Sequence, residues 1–238
     1  MALSRNIQHP MLNVIRRVGI GLSFILYPLF SGIAFAGHPN LLSLEIGGDV
    51  TAKIAEFHGN SLMHFCHFLM LLGVPLLIVV ATRFMRMLKG RGAWLGFIGG
   101  ALAVFGAVVL AVDKAALCLV MSAFETLPEA EFVQLQPGIE ALFDFRGYLG
   151  ILYLLPLLPL GFLLQGIGLY RASAIPRWQS LALVVAMLGL GVSAAVDVDL
   201  FGLVATVILA IGFVPIGLDL IRGPDEIADE YAHVAGLA

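Results

Sequence analysis

Long apolar runs separated by short polar stretches make up most of the chain. Six runs are long enough to cross a hydrocarbon core of about 30 Å as helices, which takes roughly 20 residues. We therefore predict an all-α fold, a polytopic transmembrane six-helix bundle. Its spans are 18–36, 59–81, 93–124, 147–170, 180–196 and 200–221, preceded by an N-terminal segment, 1–17, and followed by an acidic tail, 222–238.

The third run is too long for the bilayer. As one helix, 93–124 would measure about 48 Å, so its apolar end needs a cover. Either the more polar stretch 125–146, whose partly amphipathic pattern is typical of an interfacial helix, or another protein could supply it. The run also carries overlapping GxxxG steps at Gly92, Gly96 and Gly100. Such ridges let helix backbones approach closely, within one chain or between partners, and packing within the chain is the favoured interpretation.

Composition supports a membrane protein. Of the 238 residues 60% are hydrophobic and only 12% charged, about half the charged fraction of a soluble domain. The net charge of −3 gives no reason to expect a nucleic-acid partner. The lipid bilayer is the one partner that composition predicts.

The distribution of basic residues predicts the orientation. Lys53, Lys114 and Arg146 fall on one side of the predicted bundle. The larger basic group falls on the other: Arg5, Arg16, Arg17, Arg83, Arg86, Lys89, Arg91, Arg171, Arg177 and Arg222. By the positive-inside rule both termini are then cytoplasmic, in a multi-pass protein of the cell inner (plasma) membrane.

Polar residues near the opposite ends of the spans fall at one depth. Measured from the basic ends at about 1.5 Å per residue, His67 lies about 24 Å up, His64 about 28 Å, Asp197 about 30 Å and Asp113 about 33 Å. We therefore expect a polar layer at the extracytoplasmic boundary. Its further members are Glu56, Asn60, Lys114, Arg146 and Asp199.

The layer allows three interpretations. His64 and His67, one helical turn apart, could bind a transition metal together with Asp113 or Asp197. Histidine–aspartate pairs at a cavity mouth could instead pass protons. The favoured interpretation is structural, because polar side chains cost least near the boundary. A b-type haem is not expected, since no other predicted span contains a histidine.

Lys114 is expected to pair with Asp197, Asp199 or a loop glutamate, or to contact lipid phosphate. Asp113 and Lys114 are about 100° apart on a helix, which predicts separate partners for the two charges.

The stretches HFCHFLMLLGVPLLIVV and LYLLPLLPLGFLLQGIGLYRASAIPRW resemble small six-helix bacterial membrane proteins that are uncharacterised. The resemblance lies in the histidines of the second span and in the turn after the fourth. It implies a bacterial origin and no particular activity or site residue.

Three functions remain open at this point. The leading prediction is a non-catalytic accessory or partner-binding subunit of a membrane complex, because the chain has no HExxH or other catalytic motif. Its docking surface would be the third span with 125–146, for a partner membrane protein or a second copy. The alternatives are a small transporter or proton-linked permease, and a metal-dependent membrane enzyme at the extracytoplasmic boundary.

Overall fold

The computed structural model of the protein describes residues 10–39, 41–44, 54 and 57–223. Within these ranges regular structure is helical throughout. The α-helices are α1 Pro10–Ala36, α2 Ser61–Met87, α3 Ala93–Asp113, α4 Val120–Phe124, α5 Glu129–Phe143, α6 Leu157–Ala172, α7 Arg177–Val196 and α8 Asp199–Arg222. A π-helix, Lys114–Leu119, joins α3 to α4, and 3₁₀ helices occupy Gly90–Gly92 and Gly147–Leu154.

In the described residues the predictions of a helical fold and of six helices with membrane-spanning length and composition are confirmed. Six helical segments in the described ranges are long and apolar enough to cross a membrane. Two of them extend well past the apolar runs: α1 begins at Pro10, and α2 continues through Arg83 and Arg86 to Met87. Proline suits the first position of a helix, and arginine can bury its stem while its head reaches water.

The six spans form a ring in chain order. Each packs against the next, and α8 closes the ring by packing against α1. Successive spans therefore run in opposite directions. The end of one span and the start of the next lie at the same face of the bundle, and their polar residues gather there. We call these faces the histidine end and the basic end. The basic end carries Arg17, Arg83, Arg86, Arg171, Arg177 and Arg222.

Aromatic and amide side chains fill the middle of the ring. Phe24, Phe84 and Phe213 come from three helices and meet edge to face, with ring centroids 5.2–5.8 Å apart. On α6 the fully buried Gln165 donates from Nε2 to the carbonyl of Ala81 on α2 at 2.9 Å. That hydrogen bond joins two helices that both pack against α3 but do not follow each other in the ring.

The glycine ridge of α3 is occupied within the chain. A Cβ on Gly99 would lie 2.6 Å from the carbonyl oxygen of Gly161 on α6, and one on Gly106 would meet the backbone of Leu158. Gly96 is covered by Leu88. Packing within the chain therefore accounts for this ridge, and it gives no support to a partner at the same place.

The overlong third run is also covered by the chain itself. The buried side chains of Leu117 and Cys118 in the π-helix and of Met121 in α4 join a second apolar cluster. Phe132 and Ile139 of α5 belong to the same cluster. The stretch 125–146 thus supplies the cover, and neither observation that motivated an accessory-subunit function still requires a second protein.

Candidate functional site: a histidine layer

Ionisable side chains from separate parts of the chain meet at the histidine end. We call this set the histidine layer. Its members are His38, His64, His67, Asp113, Lys114, Glu125 and Asp199.

The centre of the layer is a run of contacts from α8 to α2. His38, two residues past the end of α1, places Nδ1 2.9 Å from Oδ2 of Asp199, the first residue of α8. The ring of His38 also meets that of His67 edge to face, with centroids 5.1 Å apart. His67 is only 6% exposed, and its Nδ1 has no hydrogen-bond partner among the described residues. A buried imidazole with a vacant nitrogen is thus one contact away from a carboxylate.

His64, almost one turn before His67 on α2, faces a different carboxylate. Its Nε2 lies 2.9 Å from Oε2 of Glu125, although the two atoms lack the alignment of a hydrogen bond. Phe57 lies between the two histidines and α5. Its ring stacks on that of His67 with an interplanar angle of 14° and a centroid distance of 5.3 Å, and it also contacts the rings of His64 and of Phe143 on α5. The two imidazoles therefore belong to one layer but contact different residues, Glu125 for His64 and His38 for His67.

The prediction of separate partners for Asp113 and Lys114 is wrong. The ammonium of Lys114 lies 2.8 Å from Oδ2 of Asp113, and the aspartate is only 6% exposed. The helix passes from α to π geometry between these two residues, and the flexible lysine stem can bend back to its neighbour. Two opposite charges in a poorly hydrated place pair with the nearest available group. Lys114 is also close enough to interact electrostatically with Asp199 and His67.

Other predicted members have local roles. Asn60 caps α2, since its Oδ1 accepts a hydrogen bond from the Met63 amide at 3.1 Å. Arg146 forms a surface pair with Asp144, its terminal nitrogen 2.7 Å from Oδ2. Asp197 ends α7 in the left-handed conformation, with φ of 58°. Glu56 lies outside the described residues.

The structure does not gather the four predicted metal ligands. In the part of the chain that it describes, no three histidine, cysteine, aspartate or glutamate side chains are placed to hold one ion. His64 faces Glu125, His67 faces His38, and Asp113 faces Lys114. A metal-dependent activity has no geometric support here.

Two members were missed as site residues in the sequence. Neither His38 nor Glu125 is among the members predicted from the sequence. Each lies within two residues of the end of an apolar run at the histidine end, so its depth matches that of the predicted layer. Depth alone was therefore a usable signal, but the pairing of His38 with α8 depends on ring closure.

The histidine layer contains carboxylates and a lysine together with histidines, whose charge can change near neutral pH. Asp113, Glu125 and Asp199 outnumber the single cation Lys114 when the three histidines are neutral. Imidazole is the side chain that changes charge near neutral pH, and two of the three imidazoles here lie 2.9 Å from a carboxylate. Such pairs can take up and pass on protons.

Comparisons with protein-family models, with curated proteins and with solved structures find no match for this chain.

Proposed function

We propose that the protein is a small proton-linked permease of the inner membrane, with the histidine layer as its proton-binding mouth. The observation that carries the proposal is the contact run from Asp199 through His38 to the buried His67. Ionisable residues inside membrane domains are costly and usually serve transport or proton movement.

Burying polar side chains inside a membrane domain costs free energy, which argues against a purely structural role for the buried members of the layer. His67 and Asp113 are each 6% exposed, so neither is simply a side chain reaching the headgroups. The Nδ1 of His67, which has no hydrogen-bond partner among the described residues, can accept a hydrogen bond from a water molecule. The ring of His38 contacts that of His67, and the side chains of His38 and Asp199 are 19% and 27% exposed. The order from exposed to buried is what a proton entry route requires.

Orientation is part of the same proposal. Basic residues concentrate at the end opposite to the layer, which favours a cytoplasmic basic end and an extracytoplasmic mouth. Protons would then enter from the outer side of the membrane.

A pH jump tests the proton-binding step directly. Proteoliposomes adsorbed on a solid-supported membrane should give a transient charge displacement when the external pH is lowered, because protons move into buried sites. We expect His67→Ala and Asp199→Asn to reduce the displacement toward that of protein-free vesicles. A dye inside the vesicles would report proton flux during addition of amino acids, sugars, organic acids or inorganic cations.

The matched control is His58→Ala. His58 is also at the histidine end but pairs with the exposed Glu129, at 3.4 Å, outside the layer. It should retain the wild-type signal. A wild-type displacement no larger than that of protein-free vesicles, or equal signals in all variants, would contradict the proposal.

A partner-binding subunit remains a second candidate, on a different observation. The fourth span begins with an eight-residue 3₁₀ helix, Gly147–Leu154, although such helices rarely exceed four residues. Only 17% of the most apolar stretch of this span is buried, against 33–44% in the other five. Tyr148 is fully exposed and Tyr153 is 69% exposed. Another protein covering this segment would bury surface that is exposed in the described part of the chain.

Site-specific photo-crosslinking distinguishes that partner from lipid. A photoreactive amino acid at Tyr148, in native membranes, should give one discrete band of higher mass if a protein covers the segment. The control position is Trp94, which is 73% exposed at the start of α3, near the basic end. Absence of a discrete band at Tyr148, or identical bands at both positions, would count against this candidate.

A further inference from the structure

We propose that the aromatic face of Phe57 stabilises a proton on His67, which makes Phe57 a positioning residue of the proton entry route. This inference rests on the proposed function, in which His67 is the buried end of that route. Phe57 has no charge and no polar side-chain atom, yet its ring contacts three other rings, those of His64, His67 and Phe143.

The charged neighbours of His67 oppose a positive charge on its imidazole. The residue is 6% exposed, so little water is available to solvate an imidazolium. Its electrostatic partners are Lys114 from the π-helix, His38 from the connection after α1, and His64 from α2. Each of them is a cation or becomes one on protonation. Among the described residues no carboxylate lies within ion-pair distance of His67, because the carboxylates of the layer pair with its other members.

The ring of Phe57 can offset this unfavourable environment. It lies nearly parallel to the imidazole of His67, with an interplanar angle of 14° and a centroid distance of 5.3 Å. A cation within about 6 Å of an aromatic ring centroid is attracted to the negative face of the ring, more strongly where water is excluded. A neutral imidazole lacks the charge on which this attraction depends. The contact therefore favours the protonated form of His67 over the neutral form, and it occupies neither ring nitrogen.

The packing of Phe57 holds that face towards His67. Phe57 is 7% exposed and belongs to the second apolar cluster, together with Phe132 and Ile139 of α5. The ring of Phe143, the last residue of α5, meets it edge to face at a centroid distance of 5.6 Å. Phe57 would have to break this contact with α5 in order to turn its face away from the imidazole.

Fluorinated phenylalanines at position 57 test the proposal, because fluorine withdraws electron density from the ring face while the ring keeps nearly the same shape. Proteoliposomes of the full-length protein on a solid-supported membrane would be given pH jumps to a series of final values. The part of the displaced charge that depends on His67 is the difference from the same protein with His67→Ala. The pH at which this part is half-maximal should fall stepwise with one, two and three fluorines.

Phe57→Leu keeps apolar bulk at this position but removes the aromatic face. It should lower the half-maximal pH by about 0.5–1.5 units, because protonation of His67 loses a stabilising contact and then needs a higher proton concentration. A residue that only fills space would not give a graded shift with fluorine number. The fluorinated series keeps the test decisive even if Phe57→Leu fails to fold.

The matched control is the same fluorinated series at Phe132. That residue is 8% exposed, belongs to the same cluster and contacts an imidazole, that of His58 outside the layer, at a centroid distance of 4.3 Å. Fluorination there should leave the half-maximal pH unchanged. A His67-dependent signal that ignores fluorination of Phe57, or that shifts equally for both positions, would overturn this inference and leave the proposed function standing. A wild-type signal no larger than that of protein-free vesicles would contradict both.

Discussion

His38 joins two parts of the chain that are far apart in sequence, the connection after α1 and the first turn of α8. Its pair with Asp199 is partly shielded, with side chains 19% and 27% exposed. Partly shielded ion pairs contribute more than fully exposed ones, whose typical contribution is about 0–1 kcal/mol. The pair His58–Glu129 offers a comparison, because its glutamate is 75% exposed and its atoms are 3.4 Å apart.

A double-mutant cycle should separate these two pairs. We expect His38→Ala and Asp199→Ala to show a coupling free energy of about 1 kcal/mol, measured by unfolding in mixed micelles. The corresponding cycle for His58 and Glu129 should give a coupling close to zero. Equal coupling in both cycles would mean that the contact between His38 and Asp199 adds no stability of its own.

At the residue scale, the sequence predicted depth better than pairing. Helical rise alone placed His64, His67 and Asp113 at one end of the bundle, and the structure has them there. It could not predict that Lys114 turns to Asp113, because that contact depends on a local change from α to π geometry. Pairing depends on the length of the side chains and on the local backbone geometry. A prediction that assumes a regular α-helix with 100° per residue includes neither.

At the scale of helices, α3 and α6 approach most closely where both carry glycine. A Cβ on Gly99 would lie 2.6 Å from the Gly161 carbonyl oxygen and 3.0 Å from the Gln165 amide nitrogen. Neither backbone atom can move without separating the two helices. By contrast, a Cβ on Gly191 of α7 would meet nothing within 4 Å.

We therefore expect Gly99→Ala to destabilise the protein and Gly191→Ala to leave it unchanged or slightly stabilised. Overpacking costs about 1–3 kcal/mol, whereas alanine is favoured over glycine in an open helix position by up to about 1 kcal/mol. Thermal unfolding in detergent should show a lower midpoint for the first variant only. A Gly99→Ala midpoint equal to that of the wild type would contradict the close crossing of α3 and α6.

Apolar pattern predicted where the spans lie but not every kind of helix within them. The third run is helical from Ala93 to Phe124, but a π-helix interrupts it, and the fourth begins as a 3₁₀ helix. A continuous apolar run has the same hydropathy in an α-helix, a π-helix or a 3₁₀ helix, so hydropathy does not distinguish these forms. The stretch 125–146 does contain a helix, α5, and its position at the membrane interface stays a prediction.

At the scale of the whole molecule, the ring arrangement places the histidine layer and the basic end at opposite faces of the bundle. Successive spans alternate in direction, so His38 and His67 share one face while Arg17 and Arg83 share the other. Span count and alternation were predictable from the sequence. Closure of the ring by α1 and α8 was not, because no local pattern distinguishes it from an open row of helices.

Cysteine labelling from outside intact cells should reveal which face is cytoplasmic. The two native cysteines, Cys66 and Cys118, are buried, so background labelling should be low. Gln134→Cys on α5 and Ser173→Cys after α6 introduce thiols at exposed positions on opposite faces. A membrane-impermeant maleimide should label the first in intact cells and the second only after lysis, since the basic end is expected inside. The reverse result would place the histidine layer in the cytoplasm, and protons would then enter it from the inner side.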